Sequence, residues 1–171
     1  LCFAPLNKTA LRLGGMHQED ELRWFAEWLQ YKGVCGELNV LEKLWTARVT
    51  SHVALRDVNS LLTSDKVVDA IRMMTEALRA AGIAQPRVAV CGLNPHAGDG
   101  GILGREEIDT IGPAVRQARR RGVDCHGPFA ADGLFAKADR MPFDAVLAMF
   151  HDQGLVAAKA LDFETTVNVT L

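Results

Sequence analysis

The sequence lacks most features that would announce its class outright. It holds only four cysteines in 171 residues, Cys2, Cys35, Cys91 and Cys125, and no two form a CxxC pair. That excludes a cysteine-built zinc knuckle and a dithiol redox motif. Free buried thiols are expected instead. They suit a reducing compartment, so a cytoplasmic location is expected. No apolar run approaches the ~18 residues of a membrane-spanning helix, and no membrane partner is expected. Charge of one sign is lacking too. Lys and Arg number 19 against 21 Asp and Glu, a formal charge of -2. Nucleic-acid binders usually carry a basic excess, so no nucleic-acid partner is expected. Internal repeats, low-complexity tracts and linker-like stretches are also missing. Residues 1–171 therefore read as part of one α/β chain with no internal boundary. Leu1-Cys2-Phe3-Ala4-Pro5 offers neither an initiator Met nor a charged signal-peptide start. The expectation is a fragment of a longer protein.

What is present is globular. Hydrophobic residues make up 49% and charged residues 23%, near the averages for folded domains. A chain of this size buries roughly 70% of its unfolded surface. Glu19 to Gln30 places Leu22, Phe25, Ala26 and Leu29 at helical spacing. Trp24 and Trp28 lie beside that stripe and read as packing residues. Ser64 to Ala81 is the clearest helix. Thr63 or Ser64 can cap it, Val67, Val68, Ile71, Met74 and Leu78 form its apolar stripe, and Gly82 ends it. Short apolar runs read as strands at Gly36–Val40, Ala47–Thr50, Arg87–Leu93, Val123–His126 and Asp144–Phe150. Pro113 suits the start of another helix, with Arg116, Arg119, Arg120 and Arg121 near its solvated end. Strands alternating with helices predict an α/β domain with a mostly parallel sheet and flanking helices.

The chemistry lies in the histidines His17, His52, His96, His126 and His151. His52, His96 and His151 each follow a predicted strand. Ligands of open α/β sheets bind outside the carboxyl ends of the strands, so these three can converge on one point. Imidazole is the commonest metal ligand, and three ligands with an open position make a catalytic site. Spacing alone leaves scattered, hydrogen-bonded histidines as the alternative. His126 reads as structural. Gly98 to Gly104 can cradle a phosphate or simply let the backbone approach His96. It matches neither a dinucleotide fingerprint nor a Walker loop. Lys159 can pair with a carboxylate or phosphate or stay solvated.

The order of the motifs is more specific. Ala4-Pro5-Leu6-Asn7-Lys8 is followed by Thr50-Ser51-His52-Val53-Ala54-Leu55-Arg56-Asp57-Val58. Then come Leu93-Asn94-Pro95-His96-Ala97-Gly98-Asp99-Gly100-Gly101 and Arg105-Glu106-Glu107. Last are Phe150-His151-Asp152-Gln153-Gly154-Leu155, Lys159 and Val167-Asn168-Val169-Thr170. Over essentially its whole length the chain resembles the 4-hydroxythreonine-4-phosphate dehydrogenase family. The resemblance implies an isocitrate/isopropylmalate dehydrogenase-like fold. It implies a dehydrogenase using NAD or NADP and a divalent metal (Zn, Mg or Co) on a phosphorylated small-molecule substrate. The family is a homodimer with a shared active site and ligands from both subunits. Carried over, His52, His96 and His151 are the metal ligands. His17, Gln18, Lys159 and Asn168 are substrate contacts. Lys159 is also expected to neutralise substrate charge or shuttle a proton in catalysis. Asp152, expected in the catalytic set, and Asp57 would orient the ligand histidines. The cofactor-binding residues stay unassigned. The chain departs from the family at Met16-His17-Gln18-Glu19, where Gln18 replaces a small hydroxyl residue. It also ends before an Arg-containing segment that the family uses. Two alternatives therefore stand beside the main reading: a paralogous dehydrogenase for another hydroxy acid or dihydrodiol, and a non-catalytic metal-binding module.

Overall fold

The structure is a computed structural model that describes residues 6–18, 20–138 and 140–170. Cys2, Ala4, Pro5 and Glu19 lie outside the described residues. The chain divides into two compact units, Leu1–Cys35 and Gly36–Leu171.

The first unit holds helices α1 (Lys8–Leu13) and α2 (Glu21–Trp28). Asn7 caps α1, its side chain accepting from Ala10 N. Asp20 caps α2, accepting from Arg23 N, so the helix is shorter at both ends than the apolar spacing suggests. Trp24 stacks edge-on against Phe25 at 4.9 Å. Trp28 is 71% exposed. The packing role expected of Trp28 is not borne out: it lies off the Leu22–Phe25–Ala26 face, which is half-buried.

The second unit is built on a six-stranded sheet. Its strands are β1 (Glu37–Val40), β2 (Trp45–Arg48), β3 (Val88–Cys91), β4 (Cys125–Phe129), β5 (Ala145–Ala148) and β6 (Val167–Thr170), in the order β4-β3-β5-β2-β1-β6. β4, β3, β5 and β2 are mutually parallel, while β1 runs antiparallel to β2 and to β6. The mostly parallel α/β expectation holds. The antiparallel addition follows from the connection lengths: only Leu41–Leu44 joins β1 to β2, too short for a parallel crossover.

β3 and β5 are buried at every position, as strands covered on both faces must be. Helix α4 (Ser64–Ala80) lays Val67, Val68, Ile71, Met74 and Leu78 into the core with Leu38, Ala47, Val88, Val90 and Leu147. Thr63 caps it, and Gly82 follows it with φ +98°. A second cluster joins Leu44, Ala89, Cys91 and Val146 to Leu134 of α6 (Ala131–Phe135). Helix α5 (Gly112–Arg120) continues a π turn, Glu107–Ile111, and carries Pro113 in its first turn. The remaining helices are α3 (Val58–Leu61) and α7 (His151–Leu161). Cys91 and Cys125 are buried free thiols, and Cys35 is only half-buried.

Candidate active site at the strand ends

Three neighbouring parallel strands, β3, β5 and β2, end on the same edge of the sheet. Each leads into a histidine: β2 into His52, β3 into His96 and β5 into His151. The β2 ladder outlasts the strand. Val49 N donates to Ala148 O at 3.0 Å, and Thr50 N donates to Met149 O at 3.1 Å. Thr50 Oγ1 donates to the same carbonyl at 2.8 Å.

The imidazoles of His52 and His151 lie 5.5 Å apart between ring centroids, tilted by 46°. Two imidazoles on one tetrahedral cation, with bonds near 2 Å, bring their ring centres about 5 Å apart. The ring spacing is therefore close to that of two ligands on one ion. His151 Nδ1 lies 2.7 Å from Asp152 Oδ1. A carboxylate accepts only, so Nδ1 is the donor in this contact, which leaves Nε2 as the ring nitrogen available to a cation. Among the described residues no group of three or more His, Cys, Asp or Glu side chains is gathered to hold a metal. His52, His96 and His151 therefore do not form such a group within the described residues. Asp57 lies beside Arg56, 3.7 Å from its Nε.

The His96 loop has an unusual backbone. His96, Ala97, Gly98, Asp99 and Gly100 all have positive φ, a left-handed turn. For each non-glycine residue this costs roughly 1–2 kcal/mol. Buried Glu107 holds the turn in place. Its Oε1 accepts from Leu93 N at 2.7 Å and from Asn94 N at 2.8 Å. Its Oε2 accepts from Asn94 Nδ2 at 3.0 Å. Glu106 takes the same amide at 2.6 Å. Its own backbone amide, and then Asn94, hold the Glu106 carboxyl below the ordinary range. A Cβ on Gly98 would stand 2.6 Å from Glu107 Oε2, so the position admits only glycine. The close approach of Gly98 to Glu107 makes this Gly-rich stretch a tight loop.

Two further residues take part to which the sequence assigned no role. Gln153 Oε1 accepts from Met149 N at 2.7 Å, while its Nε2 donates to Gly92 O at 2.8 Å. Arg48 is nearly buried. It donates to Ser51 Oγ at 3.1 Å and to Asn39 Oδ1 at 2.7 Å, and it pairs with Glu37. Burial pulls its pKa down, against the pull of Glu37. Asn39 faces Asn168 across β1 and β6, so Arg48 links the turn of His52 to the strand of Asn168.

Lys159 is exposed on α7, its Nζ 5.9 Å from the Phe163 ring centre. Asn168 is exposed on β6. His17 and Gln18 belong to the first unit. Gln18 Oε1 accepts from His17 N at 3.2 Å, and its Nε2 donates to Glu27. His126 lies within β4 rather than at a strand end. It pairs with Asp124 at 2.7 Å beside Phe143, the structural part expected of it. A separate groove of about 690 Å³ is lined by Phe129, Leu134, Lys137, Met141 and Phe143 among others. Among the described residues its lining includes no histidine or carboxylate.

Residues 1–171 match the family described as pyridoxal phosphate biosynthetic protein PdxA. The chain is 53% identical over 171 residues to a Pseudomonas aeruginosa protein named among the 4-hydroxythreonine-4-phosphate dehydrogenases, covering 99% of this chain and 51% of that one. It is 48% identical over 168 residues to a Symbiobacterium thermophilum protein named for D-threonate 4-phosphate dehydrogenase, covering 97% of this chain and 49% of that one. The crystal structure of 4-hydroxythreonine-4-phosphate dehydrogenase from Klebsiella pneumoniae superposes with a TM-score of 0.89 at 37% identity, covering 98% of this chain and 51% of that one. The chain spans about half the length of the curated relatives it matches.

Proposed function

The chain belongs to the pyridoxal phosphate biosynthetic protein family matched above, and from that premise we propose that the full protein is a metal-dependent NAD(P) dehydrogenase of a phosphorylated hydroxy acid. The substrate we assign is 4-phosphooxy-L-threonine. Oxidation of its secondary alcohol gives a β-keto acid, which loses carbon dioxide to yield 3-amino-2-oxopropyl phosphate. The observation that carries this reading is the His52–His151 pair at the ends of adjacent parallel strands.

His52 and His151 would hold the divalent cation, with His96 as the third ligand. On this reading the site would be completed between two subunits of a homodimer, which agrees with the three histidines not forming one group within the described residues of a single chain. A bound cation supplies Lewis acidity to the alcohol, and a nicotinamide supplies the hydride acceptor. Asp152 keeps the proton of His151 on Nδ1 and fixes the ring. Lys159 would neutralise the negative charge of the substrate and return a proton when carbon dioxide leaves. His17, Gln18 and Asn168 contact the substrate.

A second reading of the substrate has its own support. Gln18 is a long amide tied to Glu27, not a small hydroxyl, and a 48% identical relative is named for D-threonate 4-phosphate. That reading keeps the chemistry and changes the acid. The test is NADH or NADPH production by the full protein on 4-phosphooxy-L-threonine, phosphorylated aldonic acids and dihydrodiol carboxylates, each with and without a chelator. Chelator-sensitive turnover of the first supports the assignment. Turnover of another substrate alone moves it to the paralogous reading. Metal uptake without any turnover makes the protein a non-catalytic metal-binding module.

A further inference from the structure

One peptide plane at the root of the His96 loop is pinned from both sides. The carbonyl of Gly92 accepts from Gln153 Nε2 at 2.8 Å. The N–H of Leu93, across the same peptide bond, donates to Glu107 Oε1 at 2.7 Å. Gln153 stands in the first turn of α7, two residues after His151. Its other end accepts from Met149 N at 2.7 Å, at the end of β5. Met149 in turn receives both hydrogen bonds of Thr50, two residues before His52. A single amide side chain thus joins the root of the His151 turn to the root of the His96 loop. The Thr50 contacts carry the linkage on to His52.

We propose that Gln153 is a positioning residue that sets the placement of His151 and His96 through its bridge from Met149 N to Gly92 O. The bridge needs one acceptor and one donor on the same short side chain, and of the common side chains of that length only Gln supplies both. Glu would keep the acceptor toward Met149 and turn a second oxygen onto the Gly92 carbonyl. Leu would fill the volume and lose both contacts. Asp152 bonds the His151 ring, whereas both hydrogen bonds of the Gln153 bridge go to backbone groups, so Gln153 acts on the ligands through the backbone.

This inference rests on the metal-site reading above, and cobalt titration separates the two. The full protein is stripped of metal and titrated with Co2+, with visible absorption as readout, for the parent, Gln153→Leu and Gln153→Glu. Thermal melting is followed without metal. A parent that takes up no Co2+ sinks the metal-site reading itself. If the parent binds, both variants are expected to melt within a few degrees of it. Their Kd for Co2+ should rise tenfold or more, the usual scale for partners behind the ligands. The absorption per bound ion should also weaken or shift. Affinity and spectrum equal to the parent in a folded variant overturn the proposal. So does failure of both variants to fold, since that assigns Gln153 to the stability of the sheet.

Discussion

His52 and His151 face each other at 5.5 Å from the ends of two strands that are hydrogen-bonded neighbours. Neither ring depends on a flexible tether, because the ladder continues through Thr50 to Met149 within a few residues of both. Changing either to Ala leaves a lone imidazole where a chelating pair stood. His52→Ala and His151→Ala are each expected to lower metal affinity and turnover by about 100-fold or more. Asp152→Ala leaves the ring in place but frees its orientation, and should cost about 10–100-fold. Calorimetric zinc titration of the three variants checks the order.

Glu107 should matter for stability as well as for the site. It is 5% exposed and accepts two backbone N–H groups and a side-chain amide. Removing it strands buried donors, and a hydrogen bond to a charged group is worth about 1.5–3 kcal/mol. Glu107→Ala is expected to cost about 3 kcal/mol or more in urea unfolding. Glu107→Gln should cost about 1–2 kcal/mol. Its carbonyl can still serve Leu93 and Asn94, but its NH2 meets the NH2 of Asn94.

The thiols should differ sharply. Burial pushes Cys91 up to about 12. Cys125 is pushed up to about 11, chiefly by burial, with Arg119 opposing and Asp124 adding. Half-buried Cys35 should therefore be alkylated in the native protein at pH 8 before either. Both raised thiols also set an alkaline limit. An unfolded thiol titrates near 8.5, so their contribution to stability is intact below that pH. It falls as pH rises toward the folded values of about 11 and 12. Tm should drop between pH 8.5 and 11, and Cys91→Ala should flatten that drop.

Thr46 offers a gain. Its hydroxyl is buried in β2 with no hydrogen-bond partner among the described residues. Thr46→Val keeps the shape and removes the orphaned group, and is expected to stabilise by about 1 kcal/mol. An unchanged or lower urea midpoint would contradict this.

Much of this was legible in the sequence, for definite reasons. Helix α4 announced itself because its stripe, its Thr63 cap and Gly82 all agree on one period and one boundary. The histidines could be assigned to strand ends because a short apolar run followed by a polar turn is itself the signal of a buried parallel strand. Other features had no local signal. Asn39 meets Asn168 only through register across β1 and β6. The left-handed turn needs Glu107 to sustain it, and three of its five residues are not glycine. Trp28 belongs to an amphipathic pattern yet stands exposed. Gln153 looks like any helix-surface amide until the fold brings Gly92 beneath it, 61 positions away in the chain.

The contact between Thr50 and Met149 spans 99 residues, and that distance has a kinetic meaning. Closing so long a loop carries an entropy cost that local helices such as α4 never face. Parallel pairings of this range form late and slow the folding of the domains that contain them. The histidine pair therefore has no counterpart in the partly folded chain. It comes into being when β2 and β5 align, so a cation added during refolding should leave the early phases unchanged and bind only to the completed sheet.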